Sequence, residues 1–80
     1  MVERNLKGIS MEALAGAQQA AITKSSGTDT RYIRSVFSPE DGRCFCLFEA
    51  PSADAVKRVN DEAGLPYTNV VKALDLPRPE

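Results

Sequence analysis

The chain has 80 residues, 42% apolar and 26% charged, with 10 Lys and Arg against 11 Asp and Glu for a net charge of -1. That length makes one domain, burying roughly 60–65% of its unfolded surface. The balanced charge offers no basic stripe for nucleic acid, and no apolar run approaches the roughly 20 residues that span a bilayer.

Met1-Val2-Glu3-Arg4-Asn5 is followed by no apolar h-region, so no signal peptide is expected and the predicted address is cytoplasmic. Val2 to Leu6 reads as a short, charge-flanked strand, as if continued from upstream. Gly8 breaks it, and Ser10 is placed to cap a helix by accepting from a free backbone N–H. Glu12 then sits in the first turn, where a negative charge suits the helix dipole. Met11, Leu14, Ala15, Gln18, Ala21 and Ile22 recur at helical spacing and predict one buried stripe. Ala13, Ala17 and Ala20 form a second face of small residues. The helix is expected to end near Lys24, before the turn-rich Ser25 to Asp29.

Thr30 to Phe37 is β-branched and aromatic and predicts a strand. Ser38-Pro39-Glu40-Asp41-Gly42 is hairpin-loop chemistry, and Arg43 to Glu49 returns as the second strand. Pairing Phe37 with Arg43 would put Val36 beside Cys44, Arg34 beside Cys46 and Tyr32 beside Phe48. Both faces of this hairpin are then largely apolar. Cys44 and Cys46 share one face with Cα atoms roughly 6.5–7 Å apart. That is at or beyond the limit for a disulfide, so no bridge is expected, in keeping with a reducing compartment.

Ser52 predicts the start of a second helix, with Val56, Val59 and Ala63 as its stripe and Lys57, Arg58, Asp61 and Glu62 facing water. Gly64, Leu65 and Pro66 make a helix stop. Tyr67 to Leu74 predicts a last strand. Residues 1–76 are read as a single domain and residues 77–80 as a Pro-rich tail. The order β-α-β-β-α-β predicts an α+β, ferredoxin-like fold with an antiparallel sheet and two helices on one face. The other sheet face is apolar and needs a cover, since large exposed patches are rare on monomers. The expected cover is a second copy packed sheet to sheet, so a homodimer is predicted.

Cys46 to Pro51, the helix after it and Ala63-Gly64-Leu65-Pro66 resemble a family of small bacterial proteins often labelled "nickel-binding". Tyr32-Ile33-Arg34-Ser35 with the Ser38 to Gly42 loop is similar to the family's central hairpin. Gly8-Ile9-Ser10 with the Ala-rich helix is similar to its opening. The resemblance covers about residues 6 to 72 and implies a ferredoxin-like fold paired as a dimeric α/β barrel. Metal-binding relatives carry histidines at positions that align with Glu3, Gln18 and Val59. This chain has no histidine at all, and no metal ligand or cofactor is assigned to it.

Tyr32, Arg34, Cys46 and Glu49 are the candidate ligand-binding residues; no catalytic residue is assigned. Cys44 and Cys46 read either as a two-thiolate metal or redox pair or as two small buried hydrophobes. Arg34 reads either as a salt-bridge partner of Glu49 or Glu62 or as an anion anchor near the Cys46 thiol. Glu49 reads as a general base or as a solvated carboxylate. Lys57, Arg58 and Lys72 assemble no patch, and no Ser-His-Asp set is possible without histidine. The leading expectation is a homodimeric protein that binds a small molecule between sheet and helices. The alternatives are an enzyme like the cofactor-independent isomerases and monooxygenases of the dimeric α/β barrel type, and a binder of nickel or another divalent metal. Whether the chain is an enzyme stays open.

Overall fold

Six elements alternate along the chain of the computed structural model, which describes residues 1–74, 76, 78 and 79. They are β1 (Val2–Asn5), α1 (Met11–Ser25), β2 (Arg31–Ser38), β3 (Arg43–Glu49), α2 (Ala53–Glu62) and β4 (Asn69–Val70). The strands form one antiparallel sheet in the order β2-β3-β1-β4. Ala21 of α1 and Val56 and Val59 of α2 share one core with Val2, Cys44, Cys46 and Phe48, so both helices pack on the same face. The fold is α+β and ferredoxin-like, as the element order predicts.

The caps act where the sequence places them. The Ser10 hydroxyl accepts from the Ala13 amide at 3.1 Å, and the Ser52 hydroxyl from the Ala55 amide at 3.2 Å. Each satisfies one of the free N–H groups of a helix start. Gly64 leaves α2 at φ +69°, the left-handed region, and the Leu65 amide reaches back to the Asn60 carbonyl at 3.0 Å. Leu65 then folds onto the core. The hairpin loop is fastened to the end of β1, because Leu6 donates its amide to the Gly42 carbonyl at 2.6 Å. A Cβ at Gly42 would collide with the Lys7 backbone, so glycine is required there by space as well as by its positive φ.

Three expectations need correction. The inward line of α1 runs through the half-buried Leu14 and Ala17 and the buried Ala21, while Ala15 and Gln18 are exposed and Met11 (73% exposed) and Ile22 (41%) lie outside the core. The last strand is two residues long instead of eight. Its ladder is extended by the Thr68 amide to the Glu3 carbonyl and by Val71 and Met1, which exchange N–H···O bonds in both directions, after which β1 has no residue left to pair. Of the expected tail at residues 77–80, Pro77 and Glu80 lie outside the described residues.

The third correction concerns the hairpin register. Ser38 pairs with Arg43, Phe37 with Cys44, Ser35 with Cys46 and Arg34 with Leu47, one step away from the predicted register. A β-bulge between Tyr32 and Arg34 then restores the predicted pairing of Tyr32 with Phe48. The extra residue, Ile33, lets the strand change phase. Tyr32 and Ser35 therefore face the helices together, and Arg34 faces the other way.

Candidate functional site

Strand alternation turns Val2 and Arg4 of β1 toward the helices and Glu3 away from them. Val2 is completely buried and Arg4 is 5% exposed. A buried guanidinium must have its donors satisfied, because an unpartnered charge costs several kcal/mol. Arg4 spends one donor on each of three neighbours. Nη2 donates to Asn60 Oδ1 at 2.5 Å, Nη1 to the Pro66 carbonyl at 3.1 Å, and Nε to Cys46 Sγ at 3.4 Å. Asn60 is fully buried on the inner side of α2 and is held by its own amide, which donates to the Val56 carbonyl at 2.8 Å. That bond leaves the Asn60 oxygen for the arginine.

Cys46 Sγ is also the end of a second chain of donors. The Ser35 hydroxyl donates to it at 3.1 Å. A serine has one hydroxyl proton, so the Tyr32 hydroxyl is the donor in its 2.6 Å contact with Ser35 Oγ. The Gln18 side-chain amide of α1 in turn donates to the Tyr32 oxygen at 3.0 Å. The direction is consistent from Gln18 through Tyr32 and Ser35 to Cys46. The Tyr32 ring is locked by an edge-on contact with Phe48, centroids 5.5 Å apart at 78°.

Cys44 lies next along the strand face, its sulfur 3.8 Å from that of Cys46, and both thiols are free. Burial, followed by the neighbouring Cys46, pushes the Cys44 thiol from its ordinary 9.0 up to about 11. Cys44 therefore stays a protonated, apolar-like side chain at neutral pH.

Arg4, Gln18, Tyr32, Ser35 and the two cysteines border a cavity of about 200 Å³ between α1 and the helix-side face of the sheet. Leu6, Leu14, Phe37 and Leu65 supply its apolar walls, and the exposed Met11 stands at its rim. An apolar pocket with a few convergent polar groups is the general form of a small-molecule site.

Of the four candidate residues, the structure brings Tyr32 and Cys46 together in this cavity. Arg34 is not beside Cys46, because the bulge sends it to the open face opposite Leu47. Glu49 lies at the end of β3 on that same open face. It makes a 3.6 Å ion pair with Arg31, with the two side chains 72% (Arg31) and 70% (Glu49) exposed. The sequence reading missed Arg4, Ser35 and Asn60. The signal for Arg4 was the alternation of Val2, Arg4 and Leu6, which puts a charge at an inward position.

The comparisons with known proteins agree with the fold. Residues 1–72 match the family described as nickel responsive protein SCO4226-like. The crystal structure of SCO4226 from Streptomyces coelicolor A3(2) superposes with a TM-score of 0.84 at 27% identity, covering 94% of this chain and 95% of that one. No curated protein matches. With nine-tenths of its length matched and the same fold throughout, the chain belongs to the SCO4226-like family of nickel responsive proteins.

Proposed function

We propose that this protein binds a small molecule in the cavity between α1 and the sheet, and that it does so as a homodimer. The carrying observation is the convergence of Arg4, Gln18, Tyr32, Ser35 and Cys46 on one apolar-walled space of about 200 Å³. For scale, an apolar cavity of about 150 Å³ elsewhere admits benzene. The space here suits a molecule on the order of one substituted ring. Native mass spectrometry of protein purified without chelator tests the reading. A retained organic mass that is released on denaturation is expected. Bare protein, whose cavity amides also fail to respond to any small molecule by NMR, would overturn it.

The family name raises nickel, and the donor set of this chain does not fit it. Nickel takes imidazole, carboxylate and thiolate ligands in defined geometry. The positions that the family resemblance sets against histidines of metal-binding relatives hold Glu3, Gln18 and Val59. Val59 is a buried core residue without a donor atom, the Gln18 amide is engaged with Tyr32, and Glu3 faces away from both. Among the described residues no group of three or more His, Cys, Asp and Glu is placed to hold a metal ion.

The dimer reading is supported by the open face of the sheet. Val36 is 64% exposed there, beside the half-buried Phe45 and Leu47. The Arg43 guanidinium lies 5.5 Å over the Phe45 ring, which covers only part of the patch. Sedimentation of the wild type should give a dimer, and Phe45→Glu should give a folded monomer. A wild-type monomer at micromolar concentration would refute this part. Among the described residues no helix is long and apolar enough to cross a membrane.

A further inference from the structure

Arg4 is buried, yet its three partners are an amide oxygen, a peptide carbonyl and a cysteine sulfur. None of them is a carboxylate. Among the described residues no Asp or Glu lines the cavity, and the ion pair of Arg31 with Glu49 lies on the opposite face. A guanidinium has five N–H donors. Three are committed here, which leaves one N–H on each terminal nitrogen to be met by something other than the chain's own carboxylates.

From the unbalanced charge, the uncommitted donors and the apolar walls, we propose that the cavity's ligand is a small organic monocarboxylate whose carboxylate is held by Arg4. This rests on the small-molecule reading above and deepens it. One guanidinium balances one negative charge, so a monoanion is favoured over a phosphate dianion. The body of the ligand lies against Leu6, Leu14, Phe37 and Leu65. Tyr32 and Gln18, which close the far end of the donor chain, border the same space. Arg4 is thus the anion anchor, the role the sequence offered to Arg34.

The test uses matched acid and amide pairs, benzoate with benzamide and hexanoate with hexanamide, titrated into the wild-type protein by two-dimensional NMR. At least one acid is expected to bind about tenfold more tightly than its amide, with shifts centred on residues that line the cavity. Equal binding of acid and amide would overturn the anion assignment and leave the small-molecule reading standing. Binding of neither would overturn both. Arg4→Gln should lose the preference for acid and keep amide binding, while Arg4→Lys should keep part of the preference. Should Arg4→Gln not fold, the wild-type comparison still decides, because chloride should compete with the acid and leave the amide unaffected. Ultraviolet thiolate absorbance at neutral pH in the ligand-free protein, abolished by Cys46→Ser, would show that the chain supplies its own counter-charge. That result would also sink the proposal.

Discussion

The two faces of this sheet treat the same residue type in opposite ways. On the open face Arg31 and Arg43 stay wet, one in a loose 3.6 Å ion pair and the other lying over an aromatic ring. On the helix face Arg4 is almost wholly buried and is held by neutral oxygens and a sulfur. A wet arginine contributes little, because water and salt screen it. A buried one makes everything around it matter, because the interior neither screens the charge nor replaces a lost partner. The difference teaches where to look for function: at the charge that the fold has gone to some length to keep dry.

The sharpest contrast sits on β3. Phe48, on the helix face, should lose about 3–5 kcal/mol on truncation to alanine. Phe45→Ala, on the open face, should lose only about 1 kcal/mol in the monomer. Urea denaturation of both variants checks this. Equal losses, with Phe45→Ala also dissociating, would mean that the open face is a second core shared between copies. Next in size is Asn60→Ala, which removes a hydrogen bond to a charged group and should cost about 2–3 kcal/mol. A loss below about 0.5 kcal/mol would show that Arg4 does not depend on its dry partners.

The pH dependence also separates the faces. The folded state holds the Cys44 proton up to about pH 11, whereas the unfolded chain releases it near 9.0. Stability from this group is therefore intact below about pH 9 and is lost as pH climbs toward 11. Cys44→Ala should flatten that part of the profile, measured by thermal unfolding across alkaline pH. The smallest effect is expected at Arg31→Ala, within about 0.5–1 kcal/mol and shrinking with added salt.

Much of this was legible in the residues. Ser10 and Ser52 mark their helices because their hydroxyls can only help at a helix start. Gly64-Leu65-Pro66 ends α2 for reasons of φ and missing N–H alone. The register of β2 was not legible, since a bulge is decided by tertiary packing and Ile33 carries no turn signal. That single feature moved Arg34 out of the site and Ser35 into it. Arg4 was readable from alternation, but a four-residue strand gives too little periodicity to outweigh the expectation that charge lies outside. Asn60 was hidden for a related reason: among Arg58, Asp61 and Glu62 it reads as one more polar residue on the wet side of α2.

The bulge has an evolutionary corollary. β2 carries one residue more than its neighbour pairs with, and that surplus is Ile33. A gene that lost this codon would encode a strand in which Arg34 follows Tyr32 directly, with every later pairing intact. Loss of any residue from Ser35 to Phe37 would instead invert the side chains from that point back to Ile33, turning Arg34 into the pocket. Ile33 is the place where length can drift among homologues without rewriting the pocket, and strand-length variation in this hairpin should collect there.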